Sequence, residues 1–120
     1  MYIMGENPAM SDPDTHHSRK ALAKLEHLVV QDIFFTETAA FADVILPASA
    51  WPEKDGTVTN TDRRVQIGRK ALQTPGDAQQ DWWIIQEIAS RLGLDWSYSG
   101  PEDIHMEMQK CMPSMEHISW

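Results

Sequence analysis

The sequence predicts an α/β fold built on a short, doubly wound, mostly parallel sheet with flanking helices. Three observations carry that prediction. Short apolar runs at residues 2–4, 28–30 and 44–46 alternate with helix-compatible stretches. Each run is continuously apolar, as expected of a parallel strand covered on both faces. Each is also closed by a polar or turn-forming break: Gly5-Glu6-Asn7-Pro8, Gln31-Asp32 and Pro47. Crossovers in such a sheet are right-handed.

Residues 1–4 read as a buried strand. Gly5 admits unusual backbone angles and Pro8 disfavours helix at Asn7, so GENP is a turn. Asp12 is a candidate N-cap with Pro13 at the first helical position, opening a helix to about residue 26 with Ala21, Leu22 and Leu25 on its apolar stripe. Leu28-Val29-Val30 is the next strand, with Asp32 at its tip. A short helix from Thr36 leads to the strand Val44-Ile45-Leu46. Residues 48–63 are rich in Thr, Asp, Asn and Gly, with Asp55-Gly56 as the turn signal. Val65 and Ile67 suggest an extended segment of alternating exposure. Thr74-Pro75-Gly76 breaks the chain before the strongest helix, 77–91, where Trp83, Ile84, Ile88 and Leu92 share a face and Gly93 is the stop. Pro101-Glu102-Asp103 opens a last helix over 101–112.

The chain has 120 residues, enough for one domain, divided here into a motif-bearing α/β part, 1–92, and a C-terminal helical extension, 93–120. A formal charge of −8 disfavours nucleic acid and anionic membrane surfaces as partners. No apolar run is long enough for direct membrane insertion, and no signal peptide is visible. The single cysteine, Cys111, excludes an internal disulfide and points to a reducing, cytoplasmic setting. A strand at the very start, an apolar finish and five Trp give the chain the look of an excised piece whose rings cover surfaces that a larger protein buries.

No free-standing catalytic set is present. Cys111 lies on a Met-rich helix, where packing explains it better than nucleophilic chemistry. His16 and His17 are neighbours on a helix and point in different directions, so they make a poor ligand pair. The polar residues near strand ends and helix starts are different: Asn7, Gln31, Asp32, Lys54 and Asp81. Two readings of them stand side by side. They are turn and helix-start residues, or they line a nucleotide site at the carboxyl edge of the sheet, where open α/β sheets bind ligands. A carboxylate accepts two hydrogen bonds from the donor edge of guanine, and a lysine meets phosphate or ribose.

Six blocks in order resemble the catalytic subunits of molybdopterin oxidoreductases. They are Gly5-Glu6-Asn7-Pro8, Gln31-Asp32, Thr36-Glu37-Thr38-Ala39 with Ala42-Asp43-Val44-Ile45-Leu46-Pro47, Trp51-Pro52-Glu53-Lys54-Asp55-Gly56-Thr57, Asn60-Thr61-Asp62-Arg63-Arg64-Val65-Gln66, and Asp81-Trp82. They span roughly residues 2–92, and the wording is closest to formate dehydrogenase major subunits. The resemblance implies a role in holding one guanine dinucleotide arm of a molybdenum or tungsten molybdopterin cofactor. On that basis Asn7 lies near the turn after the first strand, Gln31 and Asp32 meet the guanosine, Lys54 reaches the same nucleotide, and Asp81 completes the guanine or ribose contacts. Thr38, Arg63 and Arg64 match family positions and read as structural or salt-bridging.

The resemblance also implies a parent protein that oxidises formate to carbon dioxide and holds 4Fe-4S clusters elsewhere. Its partners are the rest of the catalytic subunit and electron-transfer subunits. The family's cysteine-rich segment, metal ligand and active-site His and Arg are not in this sequence, so the piece alone is expected to be inactive, with no bound cofactor. Two alternatives are a piece of a related nitrate reductase and a stand-alone nucleotide- or partner-binding module.

Overall fold

The computed structural model describes residues 1–120. Two compact units are present. One comprises Met1–Ser49 with Pro75–Gln79, the other Ala50–Thr74 with Gln80–Trp120.

The first unit holds the parallel sheet. Strands β1 (Tyr2–Met4), β2 (Val29–Asp32) and β3 (Val44–Pro47) lie in the order β1-β2-β3. Both pairs are parallel, with Ile3 opposite Val30 and Val30 opposite Ile45. The α/β class and the parallel pairing match the sequence reading. Among these three strands the spatial order follows the chain. A single parallel bridge, Ala48 to Gln79, extends the β3 side.

The helix expected over 12–26 is two shorter ones. Helix α1 (Pro8–Ser11) starts directly on the GENP turn with Pro8 in its first turn, and α2 (Thr15–Leu22) follows. Asp12 is not the N-cap. The residue before a proline is pushed out of helical angles, and Asp12 is extended at φ −69°, ψ 143°. Asp14 caps α2 instead, accepting from the His17 N–H at 3.0 Å. The short helix from Thr36 is a single 3-10 turn, Ala39–Phe41, and Thr36 Oγ1 accepts from Ala39 N. Ala9, Leu22, Leu28, Val30 and Ala39 form the core, with Ile3, Leu25 and Ala42 packed against it. Burying a leucine such as Leu28 contributes roughly 1.5–3 kcal/mol.

In the second unit, β4 (Gly56–Thr59) and β5 (Val65–Gly68) form an antiparallel hairpin. Asp55-Gly56 is therefore a strand entrance, not a turn. The chain reverses over residues 60–64, where the Arg63 N–H donates to Asn60 O and the Asn60 N–H to Arg64 O. Arg63 holds a left-handed angle, φ 65°. Thr57-Val58-Thr59 lie in a strand inside the turn-rich stretch 48–63, because Thr and Val suit a half-exposed strand.

Helix α3 (Asp81–Arg91) begins later than expected and buries Ile84 and Ala89; Trp83 and Leu92 of the expected stripe are exposed. Gly93 stops it at φ 84°. Helix α4 (Pro101–Cys111) buries His105 and leaves Cys111 exposed, against the packing expected for that cysteine. No helix is long and apolar enough to cross a membrane.

Candidate functional site

In the first unit the parallel register brings the carboxyl ends of β1 and β2 together. Met4 lies opposite Gln31, and the Gly5 N–H donates to Gln31 O at 2.9 Å. Gly5 takes φ 63°, an angle that L side chains rarely adopt. That turn delivers Asn7 to the edge where Gln31 and Asp32 stand.

Asn7 is heavily engaged. Its Oδ1 accepts from Thr38 N at 3.1 Å and Thr38 Oγ1 at 2.8 Å, while Nδ2 donates to Glu37 Oε2 at 2.7 Å. Thr38, fully buried, in turn accepts from the Ala9 N–H at 3.0 Å. The loop after β1 is thereby locked to the loop after β2. A buried hydroxyl needs such partners, since leaving it unpaired is costly. The hydrogen bond from Asn7 holds the Glu37 carboxyl below the usual glutamate range. Glu37's own backbone N–H and the Arg19 charge act in the same direction against slight desolvation.

Gln31 is fully buried, and its Oε1 accepts from the Tyr2 hydroxyl. Asp32 is the last residue of β2 and is half-buried. Its backbone carbonyl accepts from Ala48 N at 3.0 Å, and its Oδ1 turns back to the Ile33 N–H at 2.7 Å. It enters no ion pair, so its carboxylate keeps acceptor capacity. Ile33, Phe34 and Phe35 follow it, all exposed.

In the second unit, Lys54 follows a 3-10 turn, Trp51–Glu53, whose Glu53 Oε2 accepts from the Ala50 N–H at 2.9 Å. Asp81 is the first residue of α3, where the helix dipole favours a carboxylate. Lys54 Nζ donates to Asp81 Oδ2, and each side chain is 29% exposed. Two residues picked separately from the sequence therefore form one charged pair. Trp82 Nε1 donates to Gln80 Oε1 at 2.8 Å, fixing the indole beside them.

Sequence reasoning placed Thr38 among the structural residues but missed how central it is, because its partner Asn7 lies 31 residues away in the chain. It also missed Glu37 and Asp43. Asp43 Oδ2 accepts from the Leu28 N–H at 2.7 Å and lies 3.6 Å from His27 Nδ1, which anchors the entry to β2. Arg63 and Arg64 sit in the hairpin turn and take part in no ion pair.

These arrangements offer one carboxylate with acceptor capacity at a strand end and one charged pair at a helix start. Both suit binding; neither supplies a nucleophile next to a base.

The family model described as "Molybdopterin oxidoreductase" matches residues 1–91. The chain is 55% identical over 122 residues to the F420-dependent formate dehydrogenase subunit alpha of Methanocaldococcus jannaschii, covering 100% of this chain and 18% of that protein. It is 52% identical over 120 residues to a putative formate dehydrogenase of Bacillus subtilis, covering 100% of this chain and 12% of that one. The chain thus spans under a fifth of the length of these relatives. Acetylene hydratase from Pelobacter acetylenicus superposes with a TM-score of 0.75 at 23% identity, over 99% of this chain and 16% of that chain, a likeness of fold. With most of its length matched by the family model, this chain belongs to the molybdopterin oxidoreductase family.

Proposed function

We propose that this chain is part of the catalytic subunit of a molybdenum- or tungsten-dependent formate dehydrogenase, where it contacts one guanine dinucleotide arm of the cofactor. The supporting observation is similarity along its whole length to formate dehydrogenase alpha subunits, at 55% identity for the archaeal relative. When bound, the molybdopterin group supplies the two-electron chemistry that converts formate to carbon dioxide and a proton.

The donor set fits a guanine nucleotide. Asp32 retains acceptor capacity at the ligand edge of the sheet, and guanine presents N1 and N2 donors. Asn7 fits a positioning role, since three hydrogen bonds already hold its side chain. Gln31, buried with its Oε1 accepting from the Tyr2 hydroxyl, holds the strand end that carries Asp32. Lys54 and Asp81 offer a cation for phosphate and a carboxylate for ribose or base. The remainder of the catalytic subunit, electron-transfer subunits and 4Fe-4S clusters held elsewhere in the parent complete this reading. The 120-residue chain alone has no catalytic role in it.

An NMR titration with GMP and AMP tests the nucleotide contacts. A partial site open to water gains little from each hydrogen bond, so GMP is expected to bind on the order of millimolar, about 4 kcal/mol. Amide shifts at Asn7, Gln31, Asp32, Lys54 and Asp81, weaker binding in Asp32→Ala and Asp81→Ala, and a preference for GMP over AMP are expected. Equal responses to the two nucleotides, or shifts confined to residues 101–120, contradict the assignment. For the parent protein, formate-dependent reduction of an oxidised dye, without nitrate-dependent oxidation of a reduced dye, separates this reading from a nitrate reductase.

A further inference from the structure

The second unit carries an open groove of about 1050 Å³ between residues 95–98 and helix α4 with the turn that follows it. None of Asn7, Gln31, Asp32, Lys54 and Asp81 lines it. Its carbon surface comes from Trp96, Tyr98, Met106 and Pro113, of which Trp96 and Met106 are exposed. The two rings stand 6.3 Å apart with planes at 59°. Apolar surface gathered in a concavity with a polar rim marks a docking place.

The aromatic wall is fixed. The Tyr98 N–H donates to Gln86 Oε1 at 2.7 Å, and the Tyr98 carbonyl accepts from Gln86 Nε2 at 3.3 Å, so one amide side chain of α3 clamps it. The Tyr98 hydroxyl donates to Glu107 Oε2 at 2.7 Å. A wall ordered in advance lowers the entropy lost on docking.

The charges around the groove are one-sided. Asp95, Asp103, Glu107 and Glu116 line it against a single cation, Lys110. None of these five enters an ion pair. Asp103 accepts from the Ser99 N–H and Glu107 from Tyr98, each through one oxygen, which leaves each carboxylate a second acceptor. A cationic occupant complements this rim, and an anionic one is repelled by it. Guanidinium suits both parts of the groove, since its flat face stacks on aromatic rings and its edge donates to carboxylates in pairs.

A free small cation gains little from exposed carboxylates. A basic segment joined to this chain needs little intrinsic affinity, because attachment raises its effective concentration. The chain spans under a fifth of the relatives that match it from end to end. We propose that the groove docks an arginine-bearing segment from the rest of the catalytic subunit, its guanidinium meeting the Trp96 and Tyr98 rings and the Glu107 and Glu116 carboxylates. The source of that segment rests on the proposed membership of a longer subunit; the preference for a cation does not.

The source is tested in the full-length subunit. With Met106→p-benzoylphenylalanine, illumination should cross-link the groove to a segment of the same polypeptide that carries arginine within a few residues of the link. A link to another subunit, a link to a segment without arginine, or no link overturns the proposal. The cation preference is tested on the 120-residue chain with a capped pentapeptide bearing two arginines and its citrulline twin, which keeps the shape and loses the charge. The indole N–H resonance of Trp96 should move roughly threefold further with arginine at equal concentration, the size expected of a cation–π contact at an exposed site. High salt should shrink the difference, and Glu107→Gln with Glu116→Gln should bring the arginine response down to that of citrulline. Equal responses to the two peptides, or an undiminished arginine response in the double variant, overturn the proposal. Failure of the nucleotide reading shows at Asn7 and Asp32 in the GMP titration and leaves the Trp96 resonance and the cross-link unaffected.

Discussion

The two places that carry the candidate residues are built on opposite physical terms. The Asn7–Thr38 arrangement is largely neutral, centres on a fully buried hydroxyl, and joins the loop after β1 to the loop after β2. The Lys54–Asp81 pair is charged, partly exposed and joins a 3-10 turn to a helix start. A buried neutral network costs a great deal to break, because each orphaned group loses its only partner. A partly exposed ion pair has water and salt as substitutes. The first arrangement is therefore chiefly a fixture of the fold. The second can be spent on a ligand with little damage to stability.

Thr38→Val sets the upper end of that contrast. It keeps the shape but strips the acceptor from the Ala9 N–H and the donor from Asn7. A loss of about 2–3 kcal/mol in denaturant unfolding is expected; a loss below about 0.5 kcal/mol contradicts the buried network. Asn7→Ala should cost about 2 kcal/mol. Combined with Thr38→Val it should cost less than the sum, by about 1 kcal/mol or more, since the two changes break shared bonds. Strict additivity in that cycle argues that the two side chains act separately.

The charged pair should respond more mildly. Lys54→Met or Asp81→Asn is expected to cost about 1 kcal/mol, falling as salt is raised, because the pair is partly screened. The double change Lys54→Met with Asp81→Leu should lie within about 0.5 kcal/mol of the parent protein, as removing both charges leaves neither unpaired. A cost as large as that of Thr38→Val erases the contrast between the two regions.

The smallest effect lies at Glu37. The hydrogen bond from Asn7 lowers its folded pKa. Its contribution to stability is therefore present above the unfolded glutamate value of about 4.3 and is lost as pH falls through the folded value. A carboxyl-carbon NMR titration should show Glu37 ionising below other exposed glutamates, and Asn7→Ala should return it toward them. An unchanged titration in that variant removes Asn7 as the leading cause.

Much of the first unit was legible because its signals are local. Continuous apolar runs marked β1, β2 and β3, and Pro8 and Pro13 marked where helices start or break, although Pro13 split one helix into two. The second unit was harder to read. Thr57-Val58-Thr59 suits a strand as well as a loop, so β4 and the true turn at 60–64 escaped notice. Helix α3 was foreseen from its stop at Gly93, but the buried positions were Ile84 and Ala89 because packing, not periodicity alone, chooses the inward face.

The sequence by itself determined the α/β class, the parallel strands, the placement of Asp32 at a strand tip and, through motif wording, membership of the molybdopterin oxidoreductases. Those properties follow from local composition and short spacing. Tertiary structure alone decided that Asn7 would be tied to Thr38 and Glu37, that Lys54 would pair with Asp81, and that His105 would be buried with a bare nitrogen. Each of these depends on residues far apart in the chain becoming neighbours. No local pattern encodes which buried donor meets which acceptor until the backbone has brought them within hydrogen-bond distance.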